Sequence, residues 1–309
     1  MPRPLTSLAP ALLAILAAAC AGPVASDDPE GSADPATPTG PAPLEVVAFN
    51  VRYGAANDGE DRWELREEHV LATIEASAPD LLAVQEALAF QADAIAARLP
   101  HHVKVGQHRE GGRKNEFSGL FVDGRRLAVE ASGDLWLSDT PDVVGSVGWD
   151  AALTRNATWA VLADRTTGRR FVAVGTHFDH RGARARLESA RLLAATLGRL
   201  GREHATPGAP PLPGLLLGDL NAGEDSAPLE ALRAAGLVDT FRAVHPDATE
   251  VGTFNGFRDR RDGAKIDFVL ATADWQVLDA AIDRPRRPDA GVERSASDHE
   301  PVRATLALP

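Results

Sequence analysis

From residue 44 onward the chain alternates short, continuously apolar runs with amphipathic stretches, and most of the apolar runs stop on a polar residue. The runs at 44–49, 81–85, 119–122, 171–176, 214–221 and 266–271 have the length and composition of strands covered on both faces. Leu65, Val70, Leu71 and Ile74 recur at helical spacing and predict a helix over 64–76. Further helices are expected at 90–99, 183–200 and 227–235. Additional strands are expected at 103–105, 127–137, 159–163, 275–282 and 302–308, with Thr166-Thr167-Gly168 as a hairpin turn. Strands interleaved with helices over one uninterrupted stretch, without an internal repeat, predict a single α/β domain spanning 44–309.

The first residues have a different pattern. Arg3 precedes an apolar run at 5–19 that is short for a bilayer span. The run ends in Ala17-Ala18-Ala19-Cys20, which resembles a bacterial lipoprotein signal with Cys20 as the lipidated residue. An ordinary secretory signal with an incidental cysteine is the alternative, and both place the protein outside the cytoplasm. Residues 21–43 are rich in Pro, Ala, Ser, Thr, Gly and Asp and read as a disordered tether. Anchoring to a bacterial membrane through Cys20 is therefore expected, or else secretion. The chain has one cysteine, so no intrachain disulfide can form.

Composition narrows the partners. The 309 residues are 44% hydrophobic and 25% charged, with a net charge of -12. No basic footprint for gripping a nucleic-acid backbone is visible in aggregate, although a local basic cleft is compatible with these totals. A monomer acting on a phosphoester is expected, with nucleic acid a less favoured substrate.

The stretch GLLLGDLN at 214–221 carries the sharpest chemical signal. If Asp219 and Asn221 continue the extended strand, their side chains share one face, an arrangement suited to a hard cation and a phosphate. The alternative is a simple Asx turn after a strand. The other strand ends, Asn50, Glu86, His177, Asp267, Asp298 and His299, favour the first option. Glu86, Asp298 and Asn50 offer oxygen ligands suited to magnesium or manganese, and a thiolate site is excluded. Histidines beside such an ion suit acid–base work or phosphate neutralisation. Metal-assisted hydrolysis of a phosphoester uses all these parts. Trp136, Trp149 and Trp159 read as core or cleft wall.

Phe49-Asn50, Gln85-Glu86, Thr176 to His180 (THFDH), Gly218 to Asn221 (GDLN), Ile266 to Phe268 (IDF) and Ser297 to His299 (SDH) occur in the order of the endonuclease/exonuclease/phosphatase (DNase I-like) superfamily. The chain resembles its secreted bacterial branch over the whole domain. That resemblance implies a four-layer α/β sandwich, two face-to-face β-sheets flanked by helices. It implies metal ligation by Glu86 with Asn50 and Asp298 nearby, and Mg2+, or alternatively Mn2+, as cofactor. Asp219 and Asn221 would orient the attacking water and hold phosphate. His299 aligned by Asp267, and His177 partnered by Glu116, would flank the scissile group. Arg155 would contact phosphate, with Arg181 as a further candidate.

Three features depart from the family pattern. The arginine that nucleases carry shortly after the QE glutamate is replaced by Ala87-Leu88-Ala89, Asn115 stands where glycine is commoner, and Asn156 replaces an apolar residue. The expectation is an extracytoplasmic Mg-dependent phosphodiesterase or phosphatase. The alternatives are a metal-dependent nuclease, a non-catalytic binding lipoprotein, and a glycan-processing enzyme with paired carboxylates, the last leaving the histidines unexplained.

Overall fold

A computed structural model describes residues 43–258 and 260–308. The expected signal segment, Cys20 and the tether up to residue 42 lie outside them. In chain order the elements are β1 (Leu44–Asn50), α1 (Trp63–Ala76), β2 (Leu81–Ala87), α2 (Ala89–Arg98), β3 (His102–Val105), β4 (Phe117–Asp123) and β5 (Leu127–Trp136). Then follow β6 (Asn156–Asp164), β7 (Arg170–His177), α3 (Ala183–Glu203), β8 (Gly214–Asp219), α4 (Ala227–Ala234), β9 (Leu237–Asp239) and α5 (Thr240–Val244). The chain closes with β10 (Asp267–Thr272), β11 (Gln276–Ile282), β12 (Arg286–Asp289), β13 (Val292–Ser295) and β14 (Val302–Ala307).

Two six-stranded sheets result, in the orders β11-β14-β1-β2-β4-β3 and β5-β6-β7-β8-β10-β9, with β12 and β13 as a separate hairpin. Period-two alternation distributes their apolar side chains over three cores. Val46 and Ala48 of β1 face the second sheet, together with Leu81 and Ala83, and meet Ala173, Leu215 and Leu217. Val47 and Phe49 point the other way, onto Val70 and Ile74 of α1 and Ile95 of α2. On the second sheet, Val172, Val174 and Leu216 point outward onto Leu193, Leu197 and Leu200 of α3. Helices outside and sheets inside make the four-layer α/β sandwich, and covering both faces explains the unbroken apolar runs.

Topology decides where the polar strand ends meet. Each sheet contains one parallel pair, β1 with β2 and β7 with β8, each linked by a helical crossover. Asn50, Glu86, His177 and Asp219 therefore close their strands at one end of the sandwich. β10 runs antiparallel to β8 and β14 antiparallel to β1, so their starts lie at that same end. Asp267 and the Asp298-His299 pair arrive there from the opposite chain direction.

Several boundaries differ from the sequence expectation. The strand at 214–221 stops at Asp219, and Asn221 takes a left-handed φ of 46°. Asn221 thus reaches the site by a turn and not by the pleat, its backbone N–H donating to Asp219 Oδ1 at 2.8 Å. The β12–β13 hairpin, three-residue β9 and five-residue α5 were not expected, because each is too short or too polar to show a period.

Candidate active site

Strand register brings the second sheet's three residues side by side. His177 is paired with Asp219 across β7 and β8, and Asp219 with Asp267 across β8 and β10. On the first sheet Asn50 is paired with Gln85. Glu86 follows on a bulge where the β2–β4 register shifts, with a left-handed φ of 63° that swings its carboxylate out of the pleat toward Asn50. Asn50 links the sheets: its Nδ2 donates to Glu86 Oε1 at 3.0 Å and to Asp219 Oδ2 at 3.1 Å. Arg52, Glu86 and Asn221, three non-glycine residues of the site, all have positive φ. Such conformations cost about 1–3 kcal/mol each and cluster at functional sites.

Glu86, Asp219 and His299 each present a ligand atom within 4.8 Å of the others. This differs from the expected set of Asn50, Glu86 and Asp298. Asp298 lines the same cavity, but one of its oxygens faces Arg52 at 3.3 Å and the other lies 3.3 Å from Ser297 Oγ. Asn50 turns its amide nitrogen, not its oxygen, toward the acids, and its Oδ1 accepts the Arg52 N–H. The donor set suits a divalent cation. It gathers the Glu86 and Asp219 carboxylates, with Asn50 and Asp298 adjacent, and Asp219 is fully buried among other acids. Burial, followed by the neighbouring Asp267 charge, pushes the Asp219 carboxyl up to about 7. A buried carboxylate under that strain is satisfied by a proton or a cation.

His299 and His177 are driven to opposite charge states. Burial disfavours the His299 imidazolium, but the charges of Asp267 and Asp219 and a 2.9 Å contact from Nδ1 to Asp267 Oδ2 hold it well above the ordinary histidine range. Burial and the adjacent Arg155 guanidinium hold His177 well below that range. Arg155 Nη1 lies 2.8 Å from His177 Nδ1, and arginine only donates, so Nδ1 is the acceptor of that pair. His177 Nε2 lies 3.4 Å from Asp219 Oδ2. Asn221 lies against the same nitrogen at 3.0 Å and donates to the Phe178 carbonyl.

Glu116 is not the partner of His177. It accepts from Arg109 at 2.8 Å and lies 3.6 Å from Arg155, reaching His177 only through that arginine. Two buried guanidiniums thus share one carboxylate, which leaves positive charge against the cavity wall where Arg155 emerges. Arg181 is exposed and absent from the cavity lining; its backbone N–H donates to Asp179.

The cavity enclosing these groups has a volume of about 430 Å³. Sequence reading missed Arg52, Tyr53 and Phe254 in its walls, and it missed Asp179. The buried Asp179 carboxylate accepts four backbone N–H groups, from Ala152, Leu153, Arg181 and Gly182, and so pins the Arg155 loop to the His180 loop. Its place inside THFDH, immediately before His180, was the available signal.

The Endonuclease/Exonuclease/phosphatase family model matches residues 47–299. The chain belongs to that family. Members of the family are hydrolases of phosphoester bonds and typically depend on a divalent metal. Among solved structures the chain is similar to the endonuclease/exonuclease/phosphatase of Bacteroides vulgatus, with 30% identity and a TM-score of 0.76 over 87% of this chain and 100% of that one. It is also similar to the mannosyl-6-phosphatase of Bacteroides thetaiotaomicron, with 29% identity and a TM-score of 0.77 over 85% of this chain and 99% of that one. The human Nocturnin catalytic domain shares the fold at 17% identity and a TM-score of 0.67, over 86% and 95% of the two chains. No curated protein matches the chain.

Proposed function

We propose that the protein is an extracytoplasmic, magnesium-dependent hydrolase of small phosphoesters, with phosphomonoesters favoured. The observation that carries this is one cavity joining two chemistries: the Glu86 and Asp219 carboxylates for a divalent cation, and cationic His299 with Arg155, His177 and Asn221 for a phosphoryl group. Likeness to the mannosyl-6-phosphatase supports a monoester, and Ala87-Leu88-Ala89 in place of the nucleases' arginine weighs against duplex DNA.

Asp219, which lies between His177 and His299, is placed with Asn221 to orient an attacking water. Neutral His177 lies beside it, its Nε2 3.4 Å from Asp219 Oδ2. His299, kept cationic by Asp267, faces the same carboxylate at 3.8 Å and stabilises charge developing on the phosphoryl oxygens. Arg155 adds a fixed positive charge from a dry wall. A cation held by Glu86 and Asp219, with Asn50 and Asp298 beside it, would supply Lewis-acid stabilisation of the leaving oxygen.

The extracytoplasmic part rests on the N-terminal sequence, and replacing Cys20 with serine should release the protein from membranes if the thiol is its anchor. The substrate class is tested by phosphate release with magnesium from a hexose 6-phosphate, a bis-aryl phosphodiester and a DNA oligonucleotide. The expected order is monoester over diester over DNA. Preferential cleavage of DNA would replace this reading with a nuclease.

A further inference from the structure

Arg66 on α1 is buried, yet no carboxylate among the described residues pairs with it. Its guanidinium donates instead to backbone carbonyls: Nε to Asp61 at 2.9 Å, Nη1 to Val51 at 2.7 Å and Ala296 at 3.2 Å, and Nη2 to Arg52 at 3.2 Å. The group lies between two aromatic rings, 5.2 Å from the centre of Trp63 and 5.6 Å from that of Phe257. A helix facing a core has no need of such a residue, because an apolar side chain would bury there without the desolvation cost of a charge.

Besides Asp61, the groups it touches belong to three separate segments that bear on Asn50 and Asp298. Val51 and Arg52 follow Asn50, whose carbonyl accepts from Ser297 Oγ at 2.7 Å. Ala296 precedes that serine and Asp298. Phe257 closes the turn whose Asn255 and Gly256 N–H groups donate to the Asp298 carbonyl at 2.8 and 3.0 Å. A planar fork with several fixed donors can set the spacing of such segments as a flexible point charge cannot.

We propose that Arg66 is a positioning residue for the metal site: it holds the segments bearing Asn50 and Asp298 at the separation that a divalent cation beside Glu86 and Asp219 needs. This inference rests on the metal-dependent reading above. The sign of the effect separates positioning from charge. A guanidinium near the site repels a cation, so its removal would tighten binding if charge alone mattered, whereas loss of positioning weakens it.

The test is calorimetric titration of magnesium into the metal-stripped full-length protein and its Arg66→Lys and Arg66→Met variants. Val70→Ala, which opens a cavity on the same helix, serves as the stability control. Both Arg66 variants should bind magnesium about tenfold or more weakly, the scale of losing a residue that orients metal ligands. Val70→Ala should lower the melting temperature and leave the affinity unchanged. Unchanged or tighter binding in a folded Arg66 variant would overturn the proposal. So would failure of both to fold, which would assign Arg66 to the fold at large. Absence of magnesium binding by the unaltered protein would instead remove the metal reading itself.

Discussion

Asp219 is the group on which the charges of the site depend. It is buried against Asp267, faces both histidines and contacts Asn50, and its carboxyl rises from an ordinary 3.8 to about 7. His299 is raised well above 6.5, while His177 is lowered well below it. Asp219 and His299 therefore hold protons in the fold that the unfolded chain has already released. Their contributions to stability are present at low pH and are lost as pH rises, through about 7 for Asp219 and from 6.5 upward for His299. His177 acts oppositely, but only below 6.5. The melting temperature of metal-free protein should thus fall as pH is raised above 6.5, and magnesium should suppress the trend by taking the proton's place. Melting in EDTA that is flat or rising over that range would contradict these charge states. Most of the residues behind this behaviour were legible, because an acid or histidine closing an apolar strand is costly unless it is used. The pairing of His299 with Asp267 was legible too, and that of His177 was not. Glu116 sits behind Arg155 and not on His177, and neither Asp179 nor Arg52 stood out from ordinary loop polarity.

At the scale of elements, backbone geometry aims the side chains. Glu86 reaches the site because β2 bulges, and Asn221 because β8 ends in a turn. Gly218 permits the close approach of β7 to β8. Its φ is 137°, and a Cβ there would lie 2.0 Å from the Thr176 carbonyl oxygen. Gly218→Ala should therefore cost about 1–3 kcal/mol or more, as other forced overpackings do. It should also reduce phosphate release by shifting Asp219, and denaturant melts with assays on the folded fraction would show both. A variant with unaltered stability would contradict the observed packing. The long strands and α1 to α4 were legible because each buries a full apolar face. The β12–β13 hairpin, RRPD turning to VERS, presents no such face to any core and left no period to read.

Across the whole molecule, two sheets with one parallel pair each bring four strand ends to one place, and two antiparallel neighbours add the remaining residues. The family pattern made this four-layer arrangement readable from six short motifs. Composition contributed only a net charge of -12, which weighs against a grip on a nucleic-acid backbone. What could not be read was the support behind the pocket: Arg155 was legible as a phosphate contact, but its approach to Glu116 and the carbonyls that Arg66 joins link residues far apart in sequence.

The central claim is that this pocket hydrolyses phosphoesters with a cation held at Glu86. The most direct measurement is phosphate release from an aryl phosphomonoester by the purified protein and its Glu86→Ala variant, each with magnesium and with EDTA. Turnover that requires magnesium and falls by at least about a hundredfold in the variant, the scale of losing about 2.7 kcal/mol of transition-state stabilisation, is the predicted result. Turnover that persists in EDTA, or that is equal in a folded Glu86→Ala protein, would contradict it.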